Sequence, residues 1–263
     1  GYARNKYLST GVIQWMQNNA WPSMIWHLYD FYLRPGGTYF ATKLACEPVH
    51  IQYSYDDRSV VVVNSLYEPV QSLKATAQLL DFDMSEKFSK TVEVSAQPDS
   101  VTRIFTIPEI PDISNTHFLR LTLTDSSGQV HGPNFYWLST KPDVLDEAKA
   151  KWYYTPCSSF ADLTALQSLP QVQLQASVRF RPDGNRQRAS IRLENPSKTL
   201  AFMVRLQVVS GETGEEILPV FWNDNYVSLL PGETREIAAY YRPGPGKPKA
   251  VISGWNVQPQ ELK

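Results

Sequence analysis

The chain has 263 residues, with 25 Lys and Arg against 26 Asp and Glu, 42% hydrophobic and 19% charged residues, and a formal net charge of -1. That balance describes folded units with real cores and argues against a disordered chain, and the length suits two or three such units. It supplies no overall field for nucleic acid or an anionic membrane, so neither is expected as a partner. Cys46 and Cys157 stand far apart with no CxxC pair or histidine ladder, which excludes zinc-ribbon, zinc-finger and thioredoxin-type sites. The run Val60-Val61-Val62-Val63 stops at Asn64, well short of the length that crosses a bilayer. The opening Gly1-Tyr2-Ala3-Arg4-Asn5-Lys6 is polar, precedes no apolar signal core, and begins without methionine in what reads as a helix. The expectation is a piece of a longer polypeptide.

In chain order, residues 1–46 read as helix, strand, long aromatic loop, helix. Residues 4–9 are helix-like, Gly11-Val12-Ile13-Gln14-Trp15 is a short apolar strand, and Thr38 caps a helix over 38–46 behind the breaker Pro35-Gly36-Gly37. One such βα unit is too little to fold alone. From 47 to 140 the period changes. Strands are expected at 49–53, 59–64, 73–80, 88–94, 101–107, 118–124 and 134–138, because alternation in runs such as Phe118-Leu119-Arg120-Leu121-Thr122-Leu123-Thr124 puts apolar groups on one face. Seven strands in this length make an immunoglobulin-like sandwich. A charged linker occupies 141–150, and a second sandwich is expected over 151–263, with strands at 172–181, 188–195, 201–210, 217–221, 233–241 and 249–254.

The chain lacks a Gly-x-Ser-x-Gly elbow, a Walker loop, a Gly-x-Gly-x-x-Gly turn, a His-Glu-x-x-His pair and an EF-hand loop. His27, His50, His117 and His131 show no ligand spacing, so no metal and no cofactor is expected. The informative stretch is 11–30, where Trp15, Trp21 and Trp26 alternate with Asn18, Asn19 and Asp30. A buried strand ending in Trp and followed by amides places flat apolar rings beside hydrogen-bonding groups, as a sugar ring requires. The competing reading makes these indoles barrel core or interdomain packing.

The segment resembles a known enzyme family. Ile13-Gln14-Trp15-Met16, Trp26-His27-Leu28-Tyr29-Asp30 and Gln52-Tyr53-Ser54-Tyr55-Asp56-Asp57 are similar to the end of the catalytic barrel of glycoside hydrolase family 2 and its passage into the next domain. The likeness is greatest to the exo-β-D-glucosaminidase and β-mannosidase branch. Asn195-Pro196-Ser197 and Leu218-Pro219-Val220-Phe221-Trp222-Asn223-Asp224-Asn225-Tyr226 resemble that branch's terminal immunoglobulin-like domain. The resemblance implies a mainly β chain: residues 1–46 as the C-terminal βα end of a (β/α)8 barrel, then two immunoglobulin-like sandwiches.

It also implies a retaining glycosidase whose two carboxylates stand about 5 Å apart. By that pattern both lie upstream of Gly1, so no catalytic residue is assigned here, and Asp30, Glu47, Asp56 and Asp57 are read as structural or solvated. Trp15 is the expected sugar platform, with Asn18, Asn19 and Trp21 as further substrate-binding residues. The loop 222–226 reads either as a sugar contact or as a hairpin brace. The expected function is removal of terminal β-linked glucosamine, with the N-terminal portion of the same enzyme and an oligosaccharide as partners, in a secreted or periplasmic protein. The alternatives are a β-mannosidase or endo-β-mannosidase of the same family, and a non-catalytic carbohydrate-binding or scaffold sandwich protein.

Overall fold

A computed structural model describes residues 1–263. The chain is mainly β and divides into two compact units, one formed by 1–12 with 44–168 and the other by 13–43 with 169–263.

In the first unit, seven strands form two antiparallel sheets. These are β1 (Val49–Tyr53), β2 (Ser59–Asn64), β3 (Val70–Leu80), β4 (Glu86–Ala96), β5 (Ser100–Thr106), β6 (Thr116–Thr124) and β7 (Val130–Ser139). One sheet runs β1-β2-β5 and the other β4-β3-β6-β7, the expected sandwich. The core is the alternation made solid: Leu73, Ala75, Ala77 and Leu79 on β3 and Leu119, Leu121 and Leu123 on β6 meet Val60 and Val62 of β2. The outer face of β6 is also closed, because Phe118 stacks on Phe135 of β7 at 5.7 Å.

The stretch read as a linker carries structure of its own, since β8 (Val144–Leu145) pairs antiparallel with β9 (Cys157–Ser159). Residues 1–10 lie on the first unit through side chains. Lys6 Nζ reaches Asp99 at 2.7 Å and the Asn64 carbonyl at 3.0 Å, and the Tyr7 hydroxyl donates to Asp99 at 2.6 Å.

The second sandwich uses β10 (Gln175–Asp183), β11 (Arg186–Glu194), β12 (Ala201–Ser210), β13 (Val220–Trp222), β14 (Val227–Leu229), β15 (Thr234–Tyr241), β16 (Pro248–Ser253) and β17 (Gln260–Leu262). Its sheets run β10-β11-β15-β13 and β14-β12-β16-β17. Asp183 pairs with Arg186 across a two-residue turn, and Gly184 takes the positive φ of 59° that this turn needs. Helix α1 (Gly37–Ala45), expected over 38–46, buries Phe40 in the core of this unit, where the ring sits 6.0 Å from Tyr226.

Two expected elements take other forms. The helix-like stretch 4–9 reduces to a single 3-10 turn at Ala3–Asn5, and 11–15 runs without a ladder partner. A strand exists only by pairing, and no other segment of the chain pairs with 11–15.

Candidate functional site

Residues 13–36 form an irregular segment of the second unit, shaped by its own hydrogen bonds. The Leu28 and Tyr29 amides donate to the Gln17 carbonyl at 3.1 and 2.7 Å, closing the loop between them, and the Gln14 carboxamide donates to the Trp26 carbonyl at 3.0 Å. The Trp15–Met16 peptide at the start of this loop is cis. Asp30 acts as a turn former: its carboxylate accepts the Tyr32 and Arg34 amides at 2.9 Å each, and the Arg34 guanidinium at 2.9 Å.

Arg34 ties the segment to the sandwich of the same unit. Its Nε donates to Glu216 at 2.5 Å, and Glu216 also accepts Arg205 at 3.3 Å. Burial works against the Arg34 charge, but the Glu216 bond and the charges of Glu216 and Asp30 outweigh it and hold the guanidinium above its ordinary value. Tyr29 and Tyr39 pack with ring centroids 4.9 Å apart; burial first, then the Tyr39 hydrogen bond, raises the Tyr29 phenol far above its ordinary value.

On this anchored base the expected sugar-binding residues divide. Trp15 is 71% exposed and Trp21 69%, and Asn18 is exposed as well, so two indoles and an amide are offered outward. Asn19 is only 8% exposed. Its amide donates to the Ser23 hydroxyl and lies 3.4 Å from His27 Nδ1, so it shapes the loop from within. Ile13, Met24 and Trp26 are exposed as well.

The loop 222–226 is a brace. Trp222 is buried in the core, Asn225 bridges the Leu206 amide and carbonyl at 2.8 and 2.9 Å, and Asn223 accepts the Ala238 amide at 2.7 Å. Asp224 is raised above the usual carboxylate value by burial, against the opposing charge of Arg235. Asp56 is engaged by Arg4 at 2.5 Å. A second concavity, on the first unit, is lined by Gln52, Ser54, Tyr55, Asn134 and Tyr136. The alternation of polar groups along β1 marks an outward face there, while the wall from β7 has no sequence signal.

Residues 152–257 match the model of the exo-β-D-glucosaminidase Ig-fold domain, and residues 56–141 that of the mannosidase Ig/CBM-like domain. The chain is 43% identical to an exo-β-D-glucosaminidase of Amycolatopsis orientalis over 97% of its own length and 25% of that protein. It is 41% identical to one from Streptomyces avermitilis over 97% of its length and 29% of the relative. A mannosylglycoprotein endo-β-mannosidase of Lilium longiflorum is 23% identical over 94% of this chain. Among solved structures, the Amycolatopsis orientalis exo-chitosanase CsxA superposes with a TM-score of 0.91 at 42% identity, over 96% of this chain and 31% of that one. The chain thus spans a quarter to a third of the proteins it matches; over that span it is similar to exo-β-D-glucosaminidases, and its two sandwiches match the Ig-fold domain models of exo-β-D-glucosaminidase and mannosidase.

Proposed function

We propose that the chain is the C-terminal portion of a retaining exo-glycosidase that removes terminal β-linked glucosamine from the non-reducing end of chitosan oligosaccharides. The observation that carries this reading is the likeness, over nearly all of the chain, to exo-β-D-glucosaminidases of which it spans about a quarter. In such an enzyme one carboxyl protonates the leaving oxygen and the other forms the glycosyl intermediate; both are supplied by the preceding part of the polypeptide. Residues 1–46 finish the barrel of that part, and the exposed Ile13, Met24 and Trp26 support the assignment, since apolar surface of this kind is stabilised by a covering layer.

This chain's own contribution is to binding. Trp15 and Trp21 offer faces to the C–H side of a pyranose, Asn18 offers an amide to its hydroxyls, and Asn19 holds the loop that carries them. Polymeric substrate also places the protein outside the cytoplasm, secreted or periplasmic; the location of the native protein in cell fractions tests that placement.

The test of function is hydrolysis of aryl β-glucosaminide and aryl β-mannoside, by this chain alone and by the chain joined to the rest of the polypeptide. The expected result is no turnover by the chain alone and glucosaminide cleavage by the whole. Turnover by the chain alone overturns the upstream placement of the carboxylates. Faster mannoside cleavage selects the second reading, a β-mannosidase, which the mannosidase Ig/CBM-like match and the lily relative favour.

A further inference from the structure

The first unit holds a cleft of about 490 Å³, within the size range of small-ligand sites. None of residues 11–36 lines it. Its floor is the outer side of β1: Val49 and Ile51 point into the core, while the alternate residues His50 and Gln52, followed by Ser54, line the cleft. Asn134 and Tyr136 on β7 form the facing wall. Three tyrosine rings meet there, Tyr53, Tyr55 and Tyr136, with centroids 5.5 to 6.0 Å apart.

The wall is fixed in place because it caps an edge strand. Asn134 donates to the Ile51 carbonyl at 2.6 Å, and the Tyr136 oxygen accepts the Tyr53 amide at 3.0 Å, so side chains from β7 satisfy backbone groups that the sheet leaves open. Hydrogen-bonding capacity is left over. The Ser54 hydroxyl, on a residue only 2% exposed, has no partner, which is costly for a buried polar atom. The Tyr136 phenol proton, which burial keeps in place by pushing its pKa up to about 12, is not donated within the chain. One end of the Gln52 carboxamide meets His50 at 3.1 Å and the other end is open. At the rim Arg4 and Asp56 pair with each other, beside the Gly1 amino group. The Tyr55 ring is 70% exposed.

We propose that this cleft binds an uncharged pyranose of a β-linked oligosaccharide, stacked on Tyr55 and hydrogen-bonded by Ser54, Gln52, Asn134 and Tyr136. Flat apolar faces with polar edges match an aromatic ring flanked by neutral donors and acceptors. The proposal stands whether or not the proposed hydrolysis does.

Titration calorimetry of the full chain tests it, with β-1,4-mannobiose as the neutral probe and the β-1,4-linked glucosamine disaccharide as the charged one. Mannobiose is expected to bind with a millimolar Kd of about 1–5 mM, more tightly than the charged disaccharide. Tyr55→Ala, which removes an exposed ring, weakens binding about tenfold. Ser54→Ala weakens it about fivefold while leaving the melting temperature unchanged or raised, because the hydroxyl it deletes is unpaired in the free protein. No binding up to about 10 mM mannobiose, tighter binding of the charged disaccharide, or binding insensitive to Tyr55→Ala each overturns the proposal. None of these results bears on hydrolysis by the complete enzyme.

Discussion

Asn64 and Asn195 do the same work in two successive sandwiches. Each is fully buried and stands at the end of its sandwich's second strand, Asn64 closing β2 and Asn195 directly after β11. Asn64 accepts the Leu66 amide at 2.9 Å and donates to the Glu68 and Gln97 carbonyls at 2.8 and 2.9 Å. Asn195 accepts the Ser197 amide at 3.1 Å and donates to the Thr199 and Leu229 carbonyls at 2.8 and 2.9 Å. The offsets of two and four residues are identical, so one carboxamide turns the chain and ties it across the sandwich in both units.

Replacing either by alanine strands a buried amide and two carbonyls, and we expect Asn64→Ala and Asn195→Ala each to cost about 2–4 kcal/mol. Aspartate at either place is expected to be no better, because a carboxylate cannot donate to the two carbonyls. Urea unfolding of the single variants measures both costs. A loss within about 0.5 kcal/mol of zero would contradict the brace.

Two glycines with positive φ separate backbone strain from collision. At Gly132, φ 42°, a Cβ would lie 2.4 Å from the His50 Cβ and 2.8 Å from its Cα, whereas at Gly184, φ 59°, it would meet nothing within 4 Å. Gly184→Ala should therefore cost only the left-handed backbone penalty of about 1 kcal/mol. Gly132→Ala adds displacement of β7 from β1, and we expect a loss at least twice as large. Equal losses in thermal melts of the two variants would refute the close approach.

The strands of both sandwiches were legible because one face of each is buried. Leu73 to Leu79 and Leu119 to Leu123 alternate in the sequence as they do in the core. β14 and β17 were not expected, since three residues hold too little periodicity to register. The short pair β8 and β9 is hidden in the same way. At the site, the inward turn of Asn19 toward Ser23 and His27 has no sequence signal, because an asparagine four residues from a serine is common in any loop. The tyrosine cleft was unreadable as a whole: Tyr55 and Tyr136 meet only when two sheets close, far apart in sequence.

Acid should loosen the opening segment before it unfolds the sandwich. The Lys6 hydrogen bond, then that of Tyr7, holds the Asp99 carboxyl below its usual range. A carboxylate depressed in the folded state contributes stability that is complete above its unfolded value near about 3.9 and is lost as pH falls toward the folded value. Amide exchange at Leu8 and Ser9 is therefore expected to be flat above about pH 5 and to accelerate below about pH 4, relative to the intrinsic rate. Asp99→Asn, which keeps the shape and removes the charge, should reduce that pH dependence to the part carried by the Arg4–Asp56 pair. Its undiminished persistence in the variant would show that another group fastens the segment.

The exposed indoles allow binding to be separated from folding. Trp15 and Trp21 are mostly outside the core, so Trp15→Ala and Trp21→Ala in this chain should shift the melting temperature by no more than about 2 °C. In the complete enzyme, the loss of a stacking face under the sugar is expected to lower kcat/KM on aryl β-glucosaminide by about 10 to 100 times, with Trp15→Ala the more severe. Asn19→Ala should behave differently. Its amide holds Ser23 and His27 from inside the loop, so both stability, by about 1 kcal/mol, and turnover should fall together. Unchanged kcat/KM in both tryptophan variants, measured on enzyme of unchanged melting temperature, would assign the indoles to packing against the rest of the barrel and remove them from the sugar site.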